Sequence, residues 1–225
     1  MELLTQVNKP SDLKNWAYDT IKQVILNSQI LPGEQLRIEK LAEKMNVSRT
    51  PIREALLRLE GDGLVKAASH VGFFVRGITK KDLRELFELR EITEGFAAEK
   101  AAPLLTDDDL AHIDILQRES TSAVKQGNLP KFNETEIALH TFIIKHSQNR
   151  RLLKLVESLK DLTYRQRFLA LKSLENVKKS VKEHQAIINA LHKRDGNLAG
   201  KLMKKHICAV KYRLLEFLDI PEDSI

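Results

Sequence analysis

Apolar positions return every three or four residues along most of this chain, the period of helices with one buried face. Between Leu13 and Ser28 they fall at Trp16, Ala17, Thr20, Ile21, Val24 and Ile25, until Leu31-Pro32-Gly33 stops the pattern. A short helix is predicted over roughly Ile38 to Met45. Asn46-Val47-Ser48 turns the chain, and a third helix continues to about Asp62, before Gly63. In that helix Ile52, Ala55, Leu56 and Leu59 recur at i, i+3, i+4 and i+7 and form the inward stripe. Leu64-Val65 and Gly72-Phe73-Phe74-Val75 are short β-prone pieces around a polar tip at Ser69-His70. Three helices followed by a hairpin predict a winged helix-turn-helix.

Gly77 opens a short linker over 77–79, and Thr79-Lys80-Lys81-Asp82 has the Ser/Thr-x-x-Asp/Glu pattern of a helix start. Helices are then predicted near 80–104, 107–126, 130–147, 150–172, 175–193 and 197–218. Pro103, Gly127 to Pro130, Gln148-Asn149 and Asp195-Gly196-Asn197 separate them. The expected fold is mainly α: a winged helix-turn-helix over 1–76 and an all-helical bundle of about six helices over 80–225. The run Asp107-Asp108-Asp109 after Thr106 reads as a capped, dipole-compensated first turn rather than a metal cluster.

Length agrees with two domains, since 225 residues suffice for two cores. Lys and Arg outnumber Asp and Glu by 37 to 31, a net charge of +6, which suits a polyanionic partner. The first 76 residues carry 11 basic and 9 acidic side chains, so the excess is not gathered at the helix-turn-helix. Any case for DNA rests on where particular arginines stand. The single Cys208 reads as a small core residue, and no apolar run reaches the eighteen residues of a membrane span. No charged n-region leads into an apolar h-region, and a soluble, cytoplasmic protein is expected.

In the third helix Arg49 and Arg53 are four apart on one face, with Ser48 and Thr50 beside them, and Pro51 is tolerable only in the first turn. The N-terminal turns of a recognition helix meet base edges, where Arg can donate two hydrogen bonds to a guanine. Alone, such a face is as readily a solvated basic surface; the turn, the preceding helix and the wing favour DNA. The segment resembles the GntR family of bacterial transcription regulators over about residues 14–76. The resemblance rests on Leu31-Pro32-Gly33-Glu34-x-Leu36, Leu41-Ala42-Glu43, Ser48-Arg49-Thr50-Pro51-Ile52-Arg53-Glu54-Ala55-Leu56, Gly63-Leu64-Val65 and Gly72-x-Phe74-Val75. It implies DNA contacts from Ser48, Arg49, Thr50 and Arg53, with the wing, at His70 and Gly72, approaching the minor groove. Here the wing reads Ser69-His70-Val71-Gly72 instead of the common Pro-Asn-Arg-Gly. With no Arg at 71, its contacts are expected to be weaker or to pass through His70.

In the C-terminal half, polar groups occupy core phases. Phe132, Glu136, His140, Ile143 and Ser147 share one face of a helix; so do Val177, Val181, His184, Ile188 and Leu191, and Leu202, His206 and Val210. Any one of these histidines reads most simply as a satisfied core residue. Together, Glu136, His140, His184 and His206 suit one divalent cation, Zn2+ first, with Ni2+ or Mn2+ as alternatives. The same stretch resembles the FCD domain of FadR-type GntR regulators over about 80–218. Its landmarks are Leu89-Arg90-x-x-x-Glu94, Glu136-x-x-x-His140, Ser147-x-Asn149, Glu183-His184-x-x-Ile187 and Met203-x-x-His206-Ile207. The family pattern has Asp where this chain has Glu136. The resemblance implies that the metal and nearby cations receive a small organic acid, Arg90 foremost, with Arg165 and Arg167 as weaker candidates.

The leading expectation is therefore a ligand-responsive regulator that binds a pseudo-palindromic operator as a homodimer. Two other readings stay open: a metal enzyme whose ion keeps a position for water or substrate, and a regulator that senses the metal itself.

Overall fold

The computed structural model describes residues 12–223 apart from 28, 70, 172 and 218, with the backbone alone at 165, 166, 168 and 169. The chain divides between Ile78 and Thr79 into two compact units.

The first unit holds α1 (Leu13–Leu26), β1 (Gln35–Leu36), α2 (Ile38–Met45), α3 (Arg49–Gly61), β2 (Val65–Ala68) and β3 (Gly72–Val75). Asp12 caps α1 through Asn15 N–H. Asn46 ends α2 in the left-handed conformation, which Asn tolerates, and only Val47 and Ser48 separate it from α3. Ile52, Leu56 and Leu59 are fully buried with Ile21 and Val24 of α1, each such side chain contributing about 1.5–3 kcal/mol. On α1 the buried face runs through Tyr18, whose hydroxyl donates to Asp62 at 2.5 Å; Trp16 and Thr20, expected inside, are only partly buried. A period of 3.6 cannot assign an amphipathic ring whose tip needs a partner from another element.

Strand β2 begins one residue later than expected, with Leu64 buried ahead of it, and runs on to Ala68. It belongs to a three-stranded antiparallel sheet in the order β1-β3-β2. Gln35 pairs with Phe74 and Leu36 with Phe73. A two-residue strand has too little alternation to show in sequence.

Among the described residues the second unit holds six helices: α4 (Lys80–Ala101), α5 (Asp107–Lys125), α6 (Leu129–His146), α7 (Arg150–Ala170), α8 (Leu174–His192) and α9 (Gly196–Phe217). Thr79 with Asp82 and Thr106 with Asp109 form reciprocal capping boxes at the starts of α4 and α5, so the acidic run after Thr106 serves its own helix. Helix α4 lies along α9, and α5 bridges α6 and α8. Ala123, Val124, Phe132 and Val177 form an apolar cluster where α5, α6 and α8 meet. The α4–α9 approach depends on glycines: a Cβ on Gly196 would run into the Glu99 carbonyl, and one on Gly200 would stand 3.0 Å from the Gly95 carbonyl. Among the described residues no helix is long and apolar enough to cross a membrane.

Candidate functional site

In the first unit Ser48, Arg49, Thr50 and Arg53 are all exposed at the start of α3. Ser48 is the N-cap residue, yet its hydroxyl closes no bond to its own helix. The hydroxyl and the first-turn N–H groups are therefore placed to accept and donate outward, as anion-binding helix starts do. Arg49 stands 3.8 Å from Glu39 with both side chains mostly in solvent, a pair worth little. Arg58 is occupied structurally, stacked 3.7 Å over the Tyr18 ring and donating to Asn15 Oδ1 at 2.8 Å. Gly72 has φ +122°, a conformation that L side chains rarely adopt. Gln35 Nε2 donates to Val71 O at 2.8 Å and ties the wing tip to β1. His70 lies outside the described residues.

In the second unit, α6, α8 and α9 bring Glu136, His140, His184 and His206 together, with one ligand atom of each within 4.8 Å of all the others. The imidazoles meet through Nε2: His140 to His184 at 3.2 Å and His184 to His206 at 3.1 Å. Glu136 Oε1 lies 2.9 Å from His184 Nε2 and 3.9 Å from His140 Nε2. The close pair lacks hydrogen-bonding direction, and Glu136 Oε1 is buried without a hydrogen bond.

The orientation of these rings is fixed from outside. His140 Nδ1 bonds Glu94 Oε2, and His206 Nδ1 bonds Glu183 Oε2 at 2.7 Å. A neutral imidazole that donates from Nδ1 turns its lone pair out at Nε2. Guanidiniums hold the two carboxylates in turn: Arg90 Nε donates to Glu94 Oε1 at 2.6 Å, and Arg213 donates to both Glu183 oxygens at 2.6 and 2.9 Å. Such carboxylate–histidine pairs are how metal sites fix ring tautomers.

Electrostatics agree with this assignment. Burial pushes the imidazoles of His140 and His206 down, to about 3 and about 4, the charges of Glu94 and Glu183 offsetting only part of the effect. Both are therefore neutral at pH 7. Burial raises the Glu94 carboxyl, but Arg90 and His140 outweigh it and hold it well below the usual carboxylate range. Burial likewise opposes ionisation of Glu183, which the bonds from Arg213 and His206 lower to about 2. Burial also opposes ionisation of Glu136, but His184 and Arg167 beside it hold its carboxyl well below the usual carboxylate range.

The residue set fits a divalent cation on its own terms. Lone pairs that face one another at 3.1–3.2 Å, with an orphaned carboxylate oxygen beside them, lack enough protons to bond pairwise. Two ligands about 2.0–2.1 Å from a tetrahedral ion would stand roughly 3.3 Å apart, close to what the rings show.

Beside the ligands lies a cavity of about 30 Å3, room for about one water, lined by Arg90, Asn133, Glu136, Arg167, His206 and Arg213 among others. Arg90 is 4% exposed and Arg167 7%, with Arg167 3.5 Å from Glu136 Oε2. The Arg165 side chain lies outside those described. Of the arginines read from sequence, Arg90 is thus committed to Glu94 while lining the cavity, and the weaker candidate Arg167 faces Glu136 directly. Glu94 and Glu183 stood within the sequence landmarks without a role, and Arg213 was missed. The Arg90/Glu94 spacing of four could have flagged the first pair; nothing local links Arg213 to a carboxylate thirty residues away.

His146, outside this cluster, stacks on Phe142 and lies 3.2 Å from Asp109, and His192 lies 2.9 Å from Asp114. Both are tied to single carboxylates near the surface.

Two families match the chain. The family described as "Bacterial regulatory proteins, gntR family" matches residues 13–75, and the FCD domain matches residues 85–209. The HTH-type transcriptional regulator YdhC of Bacillus subtilis is 30% identical over 209 residues, covering 91% of this chain and 90% of its own length. The HTH-type transcriptional repressor RspR of Escherichia coli is 25% identical over 207 residues, covering 92% and 91%. The solved structure of E. coli McbR/YncC shares the fold, with a TM-score of 0.73 at 21% identity over 94% of this chain and 99% of that one. Neither matched family is enzymatic. The chain belongs to the GntR family of bacterial regulatory proteins, as a transcription regulator that joins a helix-turn-helix domain to an FCD domain.

Proposed function

We propose that this regulator binds a pseudo-palindromic operator as a homodimer and adjusts that binding to a small organic acid received beside a divalent metal ion. The DNA-binding domain is read as residues 1–76 and the effector domain as 80–225. Arg49 and Arg53 would read base edges, Ser48 and Thr50 would bond phosphates or bases, and the wing at His70 and Gly72 would follow the minor groove. Glu136, His140, His184 and His206 would hold the ion, with Zn2+ the leading choice over Ni2+ and Mn2+. When bound, the ion would supply a Lewis-acidic position for an anionic oxygen.

The observation that carries the effector reading is the charge of the enclosed site. Three guanidiniums, from Arg90, Arg167 and Arg213, face three carboxylates, from Glu94, Glu136 and Glu183. A divalent ion therefore leaves two positive charges without a partner, which an organic acid would neutralise. Arg90 and Arg167 are the cations nearest its carboxylate, and Arg165 is kept as a further candidate on α7. The cavity holds about one water, so an acid of several heavy atoms enters only as its lining side chains move.

A direct test is operator binding by the Arg49→Ala/Arg53→Ala variant. Loss of sequence discrimination by about 1–3 kcal/mol per lost bidentate contact is expected; unchanged specific affinity would reject the assignment.

A second reading makes the metal itself the signal, because the four ligands alone account for Glu136 Oε1 and the facing lone pairs. Operator binding that responds to chelation and to one metal, with no acid present, would favour it.

A further inference from the structure

Arg37 stands exposed at the N-cap of α2, and its side chain makes no bond to that helix. Its Nε donates instead to Gln35 Oε1 at 2.9 Å, and Gln35 Nε2 donates to Val71 O at 2.8 Å. One amide group and two hydrogen bonds thus tie the guanidinium to the wing tip. The amide lies close over that tip, since a Cβ on Gly72 would stand 3.4 Å from its nitrogen. Two residues beyond Arg37, Glu39 stands 3.8 Å from Arg49, so Arg37 lies between the wing and the start of α3. The carboxylates nearest in sequence are taken: Glu34 Oε1 accepts from Leu31 N–H, and Glu39 faces Arg49. Arg37 forms no ion pair with a described residue, and both its Nη groups are left for an outside acceptor. The tip brings no cation of its own at Ser69, Val71 or Gly72, and Val71 is 58% exposed.

We propose that Arg37 lends the wing the cation that its tip lacks, gripping a DNA backbone phosphate between wing and recognition helix, and that Gln35 is its positioning residue. The proposal rests on DNA binding through α3 and the wing and adds a contact to it. A hydrogen bond between two exposed side chains does little for the stability of the fold, because water competes for both groups. Its effect is to hold one long side chain in place before DNA arrives, which lowers the ordering cost of binding. With Nε occupied, the paired Nη groups form a planar fork that matches two phosphate oxygens. Such a contact positions the protein on the duplex and carries no base information itself. Gln35 therefore links strand β1 to DNA binding without touching DNA: it bonds the wing tip with one end of its amide and the cation with the other.

The test measures full-chain binding, across a salt series, to a duplex that the native chain selects from random sequence and to a mixed-sequence duplex, with circular dichroism to confirm folding. Arg37→Gln is expected to weaken both complexes by a similar factor and to lessen the slope of log K against log salt by about 1. Over a fourfold rise in salt the variant should then lose about three- to fourfold less affinity than the native chain. Gln35→Ala is expected to weaken binding less than Arg37→Gln does, and to add nothing once Arg37→Gln is present. An unchanged slope, or a loss confined to the selected duplex, would overturn the phosphate contact. Additive losses from the two substitutions would overturn the positioning role of Gln35. The Arg49→Ala/Arg53→Ala variant separates the two readings: its indifference would reject DNA reading by α3, whereas its loss beside an indifferent Arg37→Gln would reject this contact alone.

Discussion

Tyr18 and Glu183 show how single side chains decide local outcomes. Tyr18 is buried and donates to Asp62; burial first, then that bond, raises its pKa above 10. A folded pKa above the unfolded one gives stability that is fully present below pH 10 and is lost as pH rises through the folded value. Tyr18→Phe is expected to cost roughly 1 kcal/mol at pH 7 and to flatten the alkaline limb of the helix-turn-helix unit's urea midpoint. An unchanged limb would mean that another group titrates there. Glu183 acts one step out from the ligands, since it fixes the His206 ring and is itself fixed by Arg213. Glu183→Gln can still accept from His206 Nδ1 but loses the charge, and metal affinity by competitive chelation is expected to fall about 10- to 100-fold. The inward phases of Glu136, His140, His184 and His206 were legible because a helix repeats every 3.6 residues and polar residues on an apolar stripe stand out. Their supporting carboxylates were not, because a charged residue one step off the stripe looks like solvated surface until a second helix covers it.

Elements were legible to the extent that they advertise their ends. Thr79, Thr106 and Asn128 cap three helices, and all six helices of the second unit lie close to where the breaks put them. Helix α4 stops at Ala101 rather than 104: Ala102 still has helical backbone angles and its N–H bonds Ala98 O, but Pro103 has no N–H with which to continue the ladder. Strand β1 escaped notice since its two residues form a strand only by pairing with β3. Removing one cap through Thr106→Ala is expected to cost about 1 kcal/mol, read from the urea midpoint of the helical unit. Gly196 illustrates a different constraint. In sequence it marks a break between helices, whereas in the fold it is the first residue of α9, set against the Glu99 carbonyl. Gly196→Ala must push two helix backbones apart, at an expected cost of roughly 1–3 kcal/mol despite alanine's higher helix propensity. A neutral or stabilising effect would show that the α4–α9 approach is slack.

At the scale of the molecule, two units divide two tasks. The first presents exposed arginines at a helix start; the second encloses a charge-balanced site that a divalent ion would leave two charges positive. Because an ion that binds only the folded chain stabilises it by mass action, metal at 1,000 times its dissociation constant is expected to add about 4 kcal/mol to the stability of metal-free protein. Metal binding to the three buried imidazoles and Glu136 is the claim on which the effector reading stands. It is tested most directly by titrating metal-free full-length chain with Zn2+, Ni2+ and Mn2+ in a calorimeter, beside His184→Ala. One ion per chain is expected, with His184→Ala losing more affinity than the roughly 10- to 100-fold of an outer partner. Absence of uptake for all three ions, or uptake unaltered by His184→Ala, would contradict it.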